Sequence, residues 1–454
     1  MGADKEIIVA LELGSTAIRA IAGKKKPDGS MQVLAISQEK TVNAIRKGVV
    51  DNIDKTTQAI SSVIEQLSKK LNTNIVKVYV GLAGQSLRTQ KNKVAISFPE
   101  KRLITNDMVD EMCDTNRGVV YPNAEILEVV PQEYLIANRQ VVDPVGMQSE
   151  SIEAQYANVI MRPNIRKDIE TCINNAGLEI ADILISPITL SDSLFSASDK
   201  RSGCAMADIG ADTTTVAFYD GGVLRHLIVI PLGGANVTKD IAGESIEIEE
   251  AEKLKLQHAT AYSNGGEENN SKIAISHGRE IGIQQLQKIT EARYEEIIMN
   301  IWEQIKGKGK LLSGITFVGG GAKVKDLITA FSSHTKCDCP LRLAKETPDN
   351  ISLDLSIQLS ELENMQTLMA LLLKGTQVCV SDTPKEQEPV QEEFVFETEQ
   401  GTIQSTETPK ESVVEAAPEV TSEPVSEKPK VSTMTKINNF FRKVMETLND
   451  ESED

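Results

Sequence analysis

The chain opens on "KEIIVALEL", an apolar run rich in β-branched residues, which predicts a strand. In "IRAIAGKKKPDGSMQVLAISQEK" two further apolar runs flank Pro27-Asp28-Gly29, a turn-forming triplet, and read as strand, turn, strand. The period then changes. In "DNIDKTTQAISSVIEQLSKKLN", Ile60, Val63, Ile64 and Leu67 fall at i, i+3, i+4 and i+7, one face of an amphipathic helix. "VKVYVGLAG" reads as a buried strand. Strands and helices in this order predict a mixed sheet with helices on its faces. From about residue 85 to 161 the texture differs, with one helix ("NDMVDEMCDTNRG") among short strands ("EILEVVPQEYLIAN", "RQVVDPVGM", "EAQYANVIM"). That is the pattern of a small α+β insertion. The helix "NIRKDIETCINNAGL" and the strand "EIADILISP" follow.

From about Gly203 the opening pattern restarts: strand, turn, strand in "ADIGADTTTVAFYDGG" and "VLRHLIVIPLGG", then the helices "NVTKDIAGESI" and "IEIEEAEKLKLQH". "AYSNGGEENNSK" is polar and low in complexity, an exposed loop. The helix "RYEEIIMNIWEQIKGKG" leads to "GITFVGGGAKVKDLITAF", read as apolar strand, three glycines and helix, and "ENMQTLMALLLKG" is a last helix. Beyond it, residues 381–431 are rich in Glu, Pro, Thr, Ser and Val and nearly free of aromatics. Such a segment buries too little apolar surface to offset chain entropy and is expected to be disordered. In "MTKINNFFRKVMETLND", Ile437, Phe440, Phe441, Val444, Met445 and Leu448 form one apolar face with Lys436, Arg442 and Lys443 at polar positions. A basic, aromatic-bearing amphipathic helix on a tether reads as an in-plane membrane anchor.

At 454 residues the chain is too long for one ordinary core. Its net charge of −18 argues against a nucleic-acid partner. Six cysteines in this length read as reduced thiols. His334, Cys337 and Cys339 in "HTKCDC" lack a fourth ligand nearby for zinc.

The opening pattern is written twice. "LELGST" and "ADIGADTTT" each join a strand-end acid to glycine and hydroxyls. A tight turn between strands presents backbone N–H groups that bind anions. Gly14 and Gly210 let backbone approach a phosphate, and Ser15, Thr16, Thr213 and Thr214 add hydroxyl donors. Glu12 and Asp208 could hold a phosphate-bound Mg²⁺ through water. Two such hairpins facing each other would clamp a polyphosphate. The glycines of "FVGGGAKVKDL" let a ligand lie against backbone, without matching a P-loop or a dinucleotide fingerprint.

"LELGST", "ADIGADTTT" and "GITFVGGGA" resemble the two phosphate motifs and the adenosine motif of the actin/Hsp70/sugar-kinase superfamily. The resemblance implies an actin-like α/β fold of two related halves around an ATP and Mg²⁺ cleft. Phosphates would meet Gly14, Ser15, Thr16, Arg19, Gly210, Asp212, Thr213 and Thr214. "AEKLK" resembles the ribose and base helix of bacterial actins, which adds Glu252 and Lys255 to Gly319, Gly320 and Gly321. "VYVGLAGQSL", "EVVPQEYLI" and "DPVGM" are similar to stretches of the FtsA cell-division family, in which an SHS2-type module is inserted. That resemblance implies subdomain 1A over 1–84, 163–202 and 363–380, and the insertion 1C over 85–162. It further implies 2A over 203–245 and 312–362, 2B over 246–311, the acidic linker 381–431 and a membrane-targeting helix over 432–449. "KITEARYEEII" is similar to the FtsA helix that receives the FtsZ C-terminal peptide, pointing to Arg293 and Glu296. By this resemblance the chain polymerises on the cytoplasmic face of the bacterial membrane, tethers FtsZ at the division site and helps recruit later divisome proteins. Two departures stand out. Glu12 replaces the usual Asp, and Ala211 a common glycine. "SPITLSDSLFSA" offers no residue to position an attacking water, so turnover is expected to be slow or negligible. A pilus-assembly actin homologue and a small-molecule kinase of the superfamily are the alternatives; neither calls for the tethered helix.

Overall fold

Three antiparallel strands open the chain: β1 (Ile7–Leu13), β2 (Ala17–Lys25) and β3 (Met31–Lys40). This computed structural model describes residues 6–41, 43–263 and 271–381. Most of the expected polar loop around 264–270, the linker from 382 on and the amphipathic helix with its nine named residues lie outside the described residues. A short hairpin that the periodicity did not announce, β4 (Ile45–Arg46) and β5 (Val49–Val50), precedes α1 (Ile53–Leu71). Asn52 caps α1 by accepting from the Lys55 N–H, and the helix buries Ile60, Val63, Ile64 and Leu67, the expected stripe, against β2 and β3. Next come β6 (Asn74–Ile75) and β7 (Lys77–Leu82).

The insertion consists of β8 (Arg88–Leu103), α2 (Asn106–Arg117), β9 (Glu125–Ile136), β10 (Arg139–Val141) and β11 (Gln148–Met161). Its strands are not uniformly short: β8 and β11 run 16 and 14 residues as a paired ribbon. Alternating burial along β11 shows why the ribbon is stable: Ile152, Ala154 and Tyr156 pack into a small core with Met112 of α2 and Tyr134 of β9. Then follow α3 (Pro163–Asn175), β12 (Glu179–Ile185), α4 (Ser186–Leu194) and α5 (Ala197–Ser202).

The second half begins with β13 (Cys204–Ile209), β14 (Thr214–Asp220) and β15 (Val223–Ile230). It continues through α6 (Gly234–Ala242), α7 (Ile248–His258), the hairpin of β16 (Lys272–Ile275) and β17 (Arg279–Gly282), and α8 (Ile283–Ile305). β18 (Gly314–Val318), α9 (Leu327–Thr335), β19 (Leu341–Leu343), β20 (Ile351–Leu353), α10 (Gln366–Lys374) and β21 (Val380–Ser381) complete the described chain.

Two large sheets result, in the orders β12-β7-β1-β2-β3-β20 and β10-β9-β11-β8-β15-β14-β13-β18-β19. The insertion interrupts the first half in sequence, yet its strands extend the sheet of the second. The seam is one ladder pair, Arg88 with Ile228. The Thr89 hydroxyl accepts from the Leu227 N–H (3.1 Å), and Arg225 pairs with Glu133 (3.2 Å) across it. α10 returns to the first half, where Leu368, Met369, Leu371 and Leu372 are buried against β1, β2 and α4.

Candidate functional site

The two glycine turns have one geometry. In the first hairpin Glu12 stands opposite Arg19 and Leu13 opposite Ile18; in the second Asp208 stands opposite Thr215 and Ile209 opposite Thr214. Each glycine N–H donates to the carbonyl three residues on, Gly14 to Ala17 (3.1 Å) and Gly210 to Thr213 (2.8 Å). A Cβ on Gly14 would stand 2.7 Å from the Ala17 carbonyl oxygen, and one on Gly210 3.0 Å from that of Thr213. Turn closure therefore demands glycine at Gly14 and favours it at Gly210. Ser15 and Thr16 fill the first turn. The Ser15 hydroxyl accepts from the Gly48 N–H (3.3 Å), and the Thr41 hydroxyl donates to the Gly14 and Ser15 carbonyls (3.2 and 3.1 Å). In the second turn the Asp212 carboxylate accepts from the Lys47 N–H (3.0 Å), so the β4–β5 hairpin of the first half clasps the turn of the second. Thr214 is fully buried and its hydroxyl donates to the Leu232 carbonyl (2.8 Å), which engages a donor expected to serve phosphate.

Glu12 and Asp208 line one small cavity of about 60 Å³ with Gly48, Gly81, Ser186, Thr215 and Thr367. Glu12 keeps 24% of its side-chain surface exposed, but its Oε2 is buried with no hydrogen-bond partner, as is Arg19 Nε. The Arg19 guanidinium lies 3.8 Å from that oxygen, an ion pair too long for a hydrogen bond. Burial raises the Glu12 carboxyl above its ordinary range while Arg19 holds it down. Asp208 has no such cation. Burial, and secondarily the Glu12 charge, push it up to about 7. Two carboxylates close together, one with an orphaned oxygen, fit a divalent cation. No group of three or more His, Cys, Asp or Glu among the described residues makes a complete metal site. The pair therefore suits an ion that takes its other ligands from water and phosphate, as Mg²⁺ does.

The third motif abuts the second turn. β18 is followed by Gly319 (φ +87°), whose backbone packs on the Asp208 carboxylate and Ile209. The glycines do not open an α-helix directly: a single 3₁₀ turn (Gly320–Lys323) follows, and α9 starts only at Leu327 because Asp326 is left-handed. The Tyr294 hydroxyl donates to the Gly321 carbonyl (3.1 Å). Facing it, Gly234 opens α6 and donates its N–H to Gly210 O (2.9 Å). Lys255 donates to the Gly234 carbonyl (3.2 Å), the Thr238 hydroxyl (2.9 Å) and Glu252 (2.7 Å), and Thr238 also bonds Glu252. Glu252 and Lys255 are thus an i, i+3 pair locked onto α6 beside the glycines, not a free solvated pair. Thr41, Gly48, Gly234 and Thr238 escaped the sequence reading. "PLGGANVT", a double glycine opening a helix after a strand, was the available signal for the last two.

Arg293 and Glu296 lie together on α8. Arg293 donates two hydrogen bonds to Asp240 of α6 (2.6 and 3.0 Å) and another to Glu296. Asp240 raises the guanidinium above its ordinary value. A peptide meeting this helix would find an Asp240–Arg293–Glu296 unit of net charge −1, with the guanidinium held in place.

A family model described as Cell division protein FtsA matches residues 205–447, and one described as SHS2 domain inserted in FTSA matches residues 84–160. The chain belongs to the FtsA family. The Cell division protein FtsA of Porphyromonas gingivalis is 29% identical over 383 residues, covering 82% of this chain and 79% of that one. That of Escherichia coli is 26% identical over 361 residues, covering 75% and 86%. Among solved structures, a chain of the PilM-PilN type IV pilus biogenesis complex superposes with a TM-score of 0.55 at 16% identity, covering 81% of this chain and 96% of that chain. The last likeness shows the fold, an actin-like α/β architecture, and the second family model marks its SHS2 insertion. Among the described residues no helix is long and apolar enough to cross a membrane.

Proposed function

We propose that this FtsA-family chain binds Mg²⁺-ATP between its two glycine turns, polymerises on the cytoplasmic face of the membrane and tethers FtsZ filaments there, helping to recruit later division proteins. The observation that carries the nucleotide reading is the shared cavity of Glu12 and Asp208 between two turns of equal geometry. Backbone N–H groups and hydroxyls around Gly14, Ser15, Thr16, Gly210 and Thr213 would meet the phosphates, with Arg19 as their cation. Glu252, Lys255 and Gly319–Gly321 would meet ribose and base. Mg²⁺, when bound, would supply charge neutralisation at Asp208, which burial and secondarily the Glu12 charge raise. Turnover is slow: Asp192, the acid of "SPITLSDSLFSA", is tied to Lys200 and Lys374 (2.5 and 2.7 Å) and not free to act as a base. Nucleotide works here as a switch for polymerisation.

The membrane part rests on the amphipathic spacing of residues 437–448. A filament carries many such helices, so weak anchors add. Co-sedimentation with liposomes in Mg²⁺-ATP tests it, comparing the full chain, a chain ending at Val431 and Phe441→Glu. The full chain pellets and both variants stay in solution; if all three stay in solution while ATP binds, the helix docks elsewhere and the anchor reading falls.

A further inference from the structure

The described chain leaves the body at one end of the first sheet, and that end is rich in lysine. β21 pairs with β6, Val380 opposite Ile75 and Ser381 opposite Asn74. The Cys379 N–H donates to Ile7 O (2.8 Å), and Ile7 is the cross-strand partner of Lys24. Lys24 and Lys25 close β2 there with Lys26 next in the chain, and Lys69 and Lys70 lie in the last turn of α1. Lys69 and Lys77 are neutralised by Glu65 (2.7 Å) and Glu179 (3.0 Å). Lys26 and Lys70 bond neutral oxygens instead, the Ser352 hydroxyl (2.8 Å) and the Ile36 carbonyl (2.6 Å). Lys24 and Lys25 have no ion-pair partner among the described residues. Lys26 also feels the Asp28 carboxylate, so Lys24, Lys25 and Lys70 are the cations of this end with no acidic partner among the described residues, in a chain of net charge −18.

We propose that this lysine end is a second membrane contact, docking the body on anionic lipid headgroups and so choosing which face the filament turns to the bilayer. The inference rests on the membrane reading above. If the linker expected from the sequence over 381–431 behaves as a flexible coil it would span about 40 Å root-mean-square, and a terminal helix alone would leave orientation open. Lysine ammonium groups act as point charges and suit a diffuse anionic plane, and each lysine near such a surface contributes severalfold in affinity.

The test uses the full chain, with vesicles of phosphatidylcholine alone and with about 30% phosphatidylglycerol. Lys24→Gln/Lys25→Gln/Lys70→Gln is expected to bind the anionic vesicles about tenfold more weakly and the neutral ones within about twofold, while the matching arginine triple binds like the parent. Equal binding by parent and glutamine triple on both vesicles overturns this proposal alone, leaving the lysines to the glutamate-rich segment 386–399. A parent chain that binds neither vesicle overturns the membrane reading and this one with it.

Discussion

The two glycine turns share a backbone and differ in the residue facing the acid. Seven residues after the acid, the first hairpin places Arg19 and the second Thr215. The consequence is electrostatic. Glu12 has a cation at 3.8 Å that opposes the effect of burial, whereas Asp208 has none and feels Glu12 as a like charge. A repeated motif therefore does not repeat its chemistry: one acid has a cation of the chain opposing burial, the other has none among the described residues. The sharpest way to break the comparison is at Asp208. Asp208→Asn should weaken Mg²⁺-dependent ATP binding by about 10–100-fold, the scale for carboxylates that orient a metal's ligands, and Glu12→Gln by less because Arg19 remains to meet phosphate. A Mg²⁺ titration of nucleotide affinity reads both; equal losses would make the two acids equivalent.

Removing the cation should make the turns alike. Arg19→Met leaves the Glu12 carboxylate half-buried without its partner, so Glu12 takes up a proton and ATP loses a phosphate contact. Stability of the empty protein should fall by about 1–3 kcal/mol, read by chemical denaturation, and ATP affinity should fall with it. A variant as stable as the parent would show that the long ion pair contributes nothing.

The pH dependence separates the acids without nucleotide. Burial, and secondarily the Glu12 charge, push the Asp208 carboxyl up to about 7 in the folded protein, against about 4 for an aspartate in the unfolded chain. Between those values the folded state holds a proton that the unfolded state has released. Its stability therefore falls as pH rises from about 4 to about 7, and this contribution is flat outside that window. Denaturation at about pH 4.5 and about pH 7.5 should show that loss in the parent and a smaller one in Asp208→Asn, where only Glu12 remains raised. Curves that run parallel would mean that burial does not raise Asp208.

The local parts of this site were legible in the sequence. Acid, glycine two places on, hydroxyls and a restart of alternation are short-range signals, and both turns form where they stand. The α1 stripe was legible for the same reason. What escaped depends on chain distance or on which face a residue turns. Asp212 meets Lys47 across 165 residues of sequence. Thr214 follows Thr213 directly, but as the first residue of β14 it turns inward to Leu232. The insertion's sheet joins β15 through one pair, which no period within either segment announces. α9 starts late because Asp326 takes a left-handed conformation that composition does not reveal.

The smallest effect tests whether the turns are as alike as their hydrogen bonds make them. At Gly14 an added Cβ meets the Ala17 carbonyl at 2.7 Å, a separation that real Cβ atoms do not tolerate, so strand ends must move. At Gly210 the contact is 3.0 Å, and a shift of a few tenths of an ångström relieves it. Neither glycine has a positive φ, so the difference is steric and not conformational. Gly14→Ala should cost about 1–3 kcal/mol and Gly210→Ala about 1 kcal/mol or less, both read from denaturation midpoints. Because Gly210 also accepts from Gly234 N–H through its carbonyl, its variant should still lower ATP affinity by displacing the start of α6. The reverse order of stability would place the rigid jaw in the second half, and the clasp from Lys47 to Asp212 would then be what holds it.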